Sequence, residues 1–463
     1  MKIKTLIPYL LVLLSNFDIC NAQHNHTVPI PDGSWKSVGY ARQITIRNNV
    51  VSLYDTHGES CTISGTFPLE DFRKYADELT ADSIVLRNGI TKYYFIRTTV
   101  ADTQCQQSNT IDTRNPLINF DVLWQTFNEN YCSFQLRNTE WESQRNRYRS
   151  KLNEKSTDQE LFSVLKEMLD DLHDSHVTID TTAEGTSEVP DTSTLRYEVI
   201  DRLCRQYLTN PRTYNKGVIT SGLLNSDVAY LQINDLENLA DYKINKNLSR
   251  EKFMKRYERK LEKSEDPAKD MIFGIRKEMT EIIRTIGTSK YCIIDLRFNG
   301  GGSDHAALEI LSFFTDKKTA AFSKNARFKD GYTDRQNIFI SPANGQYNGD
   351  IIILTSHQTA SAAEVMVMSS IPLKAKRIGS NTEGIFSDML AKKLPNGWTF
   401  SLSNEIYYDA ENVNYEKNGI PPDIRINYDT TAEKFYKSLI EHLNNGRDEA
   451  LESALQLVKE SKK

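Results

Sequence analysis

Apolar and polar residues alternate with period two over much of the first hundred positions. "ARQITIRNNVVSLYDT" reads as two strands around Asn48-Asn49, and "SIVLRNGITKYYFIRT" as two more around Asn88-Gly89. Such residue pairs between alternating runs favour tight hairpins. Only "LEDFRKYADEL" interrupts with helical spacing. Residues 23–105 are therefore expected to form a small β-rich domain with no chemistry of its own. Residues 106–116, polar and proline-ended, read as a linker.

The period then changes. "INFDVLWQTFNENYCSF" and "TDQELFSVLKEMLDDLHDSH" place apolar residues at helical spacing, so residues 117–190 read as a helical subdomain, with polar loops from Thr181 to Pro190. From "SDVAYLQIN" onward the pattern is α/β. "YCIIDLR" and "DIIILTS" are short continuous apolar runs, as expected of strands covered on both faces. They give way to the helical patterns "DHAALEILSFF" and "SAAEVMVMSSI". Between Arg250 and Arg284 lies a charged helix pair, packed through Phe253, Met254, Tyr257 and Leu261. Residues 191–430 are the α/β core, a twisted sheet with helices, and 431–463 a helical tail.

Composition changes this picture little. The chain has 463 residues, a net charge of −5, 39% hydrophobic and 10% aromatic residues, which fits a protein with a real core and gives no electrostatic case for nucleic acid or acidic lipid. The first 22 residues do change it. Lys2 and Lys4, an apolar run and small residues up to Ala22 have the layout of a secretory signal peptide. Cys20 leaves a lipid anchor as the lesser alternative. The apolar run is shorter than a bilayer span, and no other segment is apolar enough for one. The protein is expected to be exported, to the periplasm or the cell surface. Cys61, Cys105, Cys132, Cys204 and Cys292 would remain, an odd number without CxxC spacing, which argues against zinc. Cys61 and Cys105 are a candidate pair, and Cys292 a buried thiol.

Candidate chemistry centres on Ser361 in "TSHQTASAAE", where a strand turns into a helix. A serine hydroxyl needs a positioned base, and the oxyanion it creates needs backbone N–H donors. The Ala362 amide and the helix N-terminus beyond it meet the second need. A further amide could come from Gly300-Gly301-Gly302 in "DLRFNGGGS", and small alanines around Ser361 let a substrate backbone approach. His176 in "DSH" is the best base, with Ser175 beside it; His357 is its rival in sequence proximity. His173 and His176 form HxxH without the glutamate of HExxH, so no metal is expected. Asp295 and Arg297 read as a salt bridge at a strand end, Glu364 as a carboxylate complementing a helix dipole, and Trp398 in "LPNGWTFSLSNEIYYD" as packing in a hairpin.

"LDDLHDSHVTI", "DLRFNGGG", "TASAAE" and "NYEKNGIPPDI", in this order, resemble the C-terminal processing (tail-specific) protease and tricorn core superfamily of serine peptidases. The resemblance spans roughly Leu117 to Asp429. It implies a core of crotonase-like strand-turn-helix units, a peptide or protein substrate, no cofactor, and Ser361 as nucleophile. The superfamily's Ser/Lys dyad places its lysine where this chain has Ile385, so that arrangement is absent. The tricorn-type Ser-His-Ser-Glu tetrad falls on Ser361, His176, Ser175 and Glu416, with Gly301 and Ala362 supplying oxyanion amides. "GVITSGLLNSDVAYLQINDL" follows the helical segment too soon for the PDZ domain that many relatives carry. The contrasting expectation is a non-catalytic binder of apolar ligands or peptides on the same fold. Residue preference and oligomeric state stay open.

Overall fold

The structure, a computed structural model, describes residues 30–58, 60–73, 75–98, 105, 112–181 and 192–461. The expected signal peptide, most of the linker and most of the polar 181–190 loop lie outside them. The chain divides into two units, each assembled from three stretches. The first comprises residues up to 187, 324–336 and 387–407; the second comprises 188–323, 337–386 and 408–463.

In the first unit, the alternating pattern becomes a seven-stranded antiparallel sheet. Arg42–Arg47 and Val50–His57 pair around Asn48 and Asn49, whose φ angles of 50° and 63° are those of a primed hairpin turn. Trp35, Ile44, Ile46, Val51 and Phe95 point to one face and form its core. The stretch with helical spacing divides. Leu69–Arg73 is a single helical turn that buries Leu69 and Phe72, and Ala76–Leu79 is an edge strand against Ser83–Asn88. So short a helix has little cooperative support, and ladder bonds on the sheet edge win over propensity beyond Arg73. Cys61 and Cys105 form a disulfide.

The same unit holds the helical subdomain. Pro116–Asn130 starts behind an Asn115 cap, and Asp158–Asp170 behind a Thr157–Glu160 capping box. Between them runs Trp141–Arg149, which the sequence pattern did not reveal because only Trp141 and Tyr148 of its nine residues are buried. These helices close on Phe120, Phe127, Leu165, Met168, Trp398 and Phe400. Met389–Lys393 and Thr399–Ser403 form the expected hairpin, and Thr178–Asp180 pairs with its second strand. That third strand sets His176 two residues before a sheet edge.

The second unit is built on another seven-stranded sheet. Its order is Ile424–Arg425, Lys376–Gly379, Asp350–Thr355, Tyr291–Asp295, Val228–Ile233, Ile219–Asn225 and Thr209–Tyr214. The first five strands run parallel, and the last two fold back as an antiparallel meander. Ile293, Ile352 and Leu354 pack beneath the helices Ala432–Asn444 and Glu449–Glu460. The parallel strands end on one edge, where open α/β sheets bind ligands. Just past that edge, Arg297 and Asp295 pair at 2.7 Å with neither side chain exposed, and Arg297 also holds Asp448, which caps the last helix. This pair is the structural salt bridge expected at the strand end. Cys292 is fully buried, and its thiol pKa is raised by desolvation.

Candidate active site

Ser361 lies between the strand Asp350–Thr355 and the helix Ala362–Ser370. Its φ of 54° and ψ of −126° lie where a side chain is strained, a feature that persists only where surrounding bonds over-determine it. Those bonds are present. Ser356 Oγ donates to Arg297 O at 2.7 Å, Thr359 Oγ1 to Leu296 O at 2.9 Å, and Ala360 N to Asn299 O at 3.1 Å. The turn carrying Ser361 is thus stitched to the segment leading into the three glycines.

Gly301 shows why that segment needs glycine. Its φ is 113°, and a Cβ there would stand 2.7 Å from Ser361 Cβ and 3.2 Å from Ala362 N. The loop therefore touches the serine without any side chain between them. Among the described residues, no acceptor is bonded to the Ala362 N–H, as an oxyanion donor requires. The Gly301 N–H donates to Asn299 Oδ1 at 2.8 Å.

Glu364 does more than complement a dipole. Fully buried, it accepts from Gly384 N at 2.7 Å, Ile385 N at 2.8 Å and Ser361 N at 3.2 Å. Burial pushes its pKa up to about 8, against the opposing effect of hydrogen bonds from the Thr382 side chain and the Ile385 and Gly384 amides. One carboxylate thus binds the serine's own amide to the 384–386 loop. Glu416, also buried, accepts from Phe386 N at 2.9 Å, and Lys417 N donates to Gly384 O at 2.7 Å. Gly384, at φ 92°, has no room for a Cβ, which would lie 2.6 Å from the Lys417 carbonyl carbon. Ser361, Ala362, Gly301, Glu364 and Glu416 accordingly belong to one bonded framework in the second unit.

His176 and Ser175 belong to the first unit. Asp174, held by Tyr131 at 2.8 Å, accepts the His176 amide at 3.0 Å, and Ser401 Oγ donates to His176 O at 2.7 Å. The imidazole Nδ1 lies 2.6 Å from the Ser387 carbonyl. A carbonyl only accepts, so Nδ1 carries the proton and the neutral ring keeps its lone pair on Nε2, as a general base requires. Ser387 is itself fully buried, and its Oγ accepts from Glu405 N at 2.9 Å. Ser175 is exposed beside it. Sequence reasoning missed Ser387, Asn299 and the linking role of Glu364. Asn299 and Glu364 sat inside the quoted motifs, whereas nothing in "FSDM" signals a carbonyl 211 residues from the histidine.

Residues 227–426 match the family model for peptidase family S41, and residues 114–170 match that for the tricorn protease C1 domain. Residues 227–426 are thus similar to S41 peptidases and residues 114–170 to the tricorn C1 domain, and this likeness together with the fold supports a serine peptidase function. Among solved structures, a Parabacteroides merdae protein assigned as a peptidase is 20% identical; 74% of this chain and 96% of that one are covered, with a TM-score of 0.56. Mature CPAF complexed with lactacystin is 13% identical over 72% of this chain and 97% of that one, with a TM-score of 0.48. The photosystem II D1 C-terminal processing protease is 13% identical over 72% and 98%, with a TM-score of 0.40. The first likeness shows the fold. No curated protein sequence matches the chain.

Proposed function

We propose that this protein is an exported serine peptidase, cleaving peptide bonds as an endopeptidase or oligopeptidase through an acyl-enzyme intermediate. The observation that carries the reading is the strained Ser361, bonded through its amide to Glu364 and faced by a side-chain-free glycine loop. Ser361 Oγ attacks the scissile carbonyl carbon while its proton passes to His176 Nε2. The resulting oxyanion is held by the Ala362 amide and an amide of the glycine loop. As the tetrahedral adduct collapses, His176 returns the proton to the leaving amine. Water then attacks the acyl-enzyme by the same route in reverse and frees the serine. Ser387 O keeps the imidazole in the tautomer this cycle needs, and Ser175 and Glu416 complete the tetrad by supporting the charged imidazole. The cycle calls for no metal or organic cofactor.

The Cys61–Cys105 disulfide supports export, because such bonds persist in oxidising compartments. Among the described residues no helix is long and apolar enough to cross a membrane.

Fluorophosphonate labelling tests the reading without a known substrate. Label is expected on Ser361, lost in Ser361→Ala and strongly slowed in His176→Ala, with casein or peptide hydrolysis lost in both. Undiminished hydrolysis by Ser361→Ala overturns it.

A further inference from the structure

We propose that Asn299 is a positioning residue that presets the oxyanion loop, so that the amide turned toward Ser361 is that of Gly302. The proposal rests on the peptidase reading and goes beyond it in assigning the device that orients the second donor.

Asn299 is fully buried, and each of its polar groups reaches a different element. Its Nδ2 donates to Ile233 O at 3.1 Å, at the end of the neighbouring strand. Its main-chain carbonyl accepts from Ala360 N at 3.1 Å, in the turn before Ser361. Its Oδ1 accepts from Gly301 N at 2.8 Å. The side chain thus ties the Gly301 amide to the end of the neighbouring strand, while the main chain of the same residue holds the nucleophile's turn. The amide so engaged is the one that sequence reasoning had assigned to the oxyanion.

The direction of the next amide follows from peptide geometry. Gly301 O accepts from Leu236 N at 3.1 Å, and Ser303 N donates to Leu236 O at 3.2 Å. Leu236 continues the strand Val228–Ile233, which flanks Tyr291–Asp295 on the side opposite Asp350–Thr355, the strand that leads to Ser361. No peptide bond is cis. In a trans unit the C=O and N–H point in opposite directions. The Gly302 N–H therefore points away from Leu236, to the side where Ser361 and the Ala362 amide lie. Three consecutive glycines hold no such orientation by themselves. The Asn299 and Leu236 bonds fix it before substrate arrives, and preorganised donors of this kind carry most of the stabilisation of a developing oxyanion.

The experiment compares Asn299→Ala and Asn299→Ser with wild type, using a peptide substrate and a peptidyl boronate whose tetrahedral adduct places an anionic oxygen in the same cradle. For Asn299→Ala, kcat should fall about 100-fold, the loss typical of one oxyanion donor. Boronate affinity should fall in parallel, while KM stays within about threefold. In Asn299→Ser the hydroxyl can still accept from the Gly301 N–H, and a loss of about tenfold is expected. This variant keeps the test decisive where Asn299→Ala does not fold. A loss confined to KM, or boronate affinity unchanged in a folded variant, overturns the proposal and leaves the peptidase reading intact. Wild-type protein that neither binds the boronate nor labels at Ser361 overturns both.

Discussion

The Glu364 carboxylate reaches back three residues to take the Ser361 amide at 3.2 Å, and its other oxygen takes Gly384 N at 2.7 Å. The proposed nucleophile and the loop that meets Glu416 through Phe386 thus share one buried acceptor. Removing that acceptor strands three donors at once.

Glu364→Ala should therefore destabilise the protein by about 2–4 kcal/mol, from buried amides left without partners. Fluorophosphonate labelling of Ser361 should slow by at least about tenfold even in folded protein, because strain at φ 54° is no longer held. Thermal unfolding and labelling rates check both. Labelling at the wild-type rate would show that the elbow is held by its other bonds.

Gly301→Ala puts a methyl group 2.7 Å from Ser361 Cβ at a φ of 113°. Backbone strain at such a position costs about 1–3 kcal/mol. Turnover should be lost while the far-UV circular dichroism spectrum persists. A variant with wild-type kcat/KM would mean that this loop does not face the reacting carbonyl.

Arg297→Leu leaves Asp295 and Asp448 buried without their cation. Breaking such a pair from one side costs about 3–5 kcal/mol, so a large drop in urea midpoint is expected. Replacement of surface partners such as Lys166 and Asp170 should shift it by less than about 0.5 kcal/mol.

His57 supplies a pH dependence. Burial lowers its pKa from 6.5 to about 4, and its Nε2 lies 3.0 Å from Thr62 Oγ1. Between those values the unfolded chain binds the proton more readily than the folded one, so stability rises with pH from about 4 to about 6.5. The full difference is about 3 kcal/mol, fully present above pH 6.5 and lost as pH falls through 4. In urea titrations the stability of wild type should fall relative to that of His57→Gln as pH drops from about 6.5 to about 4. Parallel curves would show that His57 is solvated in the folded state.

Much of this was legible in the sequence because local rules decided it. Period-two patterning gave the β-rich strands, continuous apolar runs gave Tyr291–Asp295 and Asp350–Thr355, and the serine motif marked the elbow. What stayed hidden depends on tertiary bonds. The edge strand Ala76–Leu79 carries helical spacing and is decided by its neighbour. The Ser387 carbonyl leaves no side-chain signature, because every residue has one. The bond between Asn299 and Gly301 emerges only once the loop's backbone is fixed, and three glycines permit many paths.

The threading of the chain has a consequence for its biosynthesis. The carbonyl that holds His176 belongs to a short insertion, 387–407, placed between two stretches of the other unit. As the polypeptide emerges from the ribosome, the histidine waits for more than two hundred further residues before its anchor exists. No single cleavage releases either unit with all its strands, and a nascent or truncated chain ending before residue 387 lacks the carbonyl that orients the proposed base.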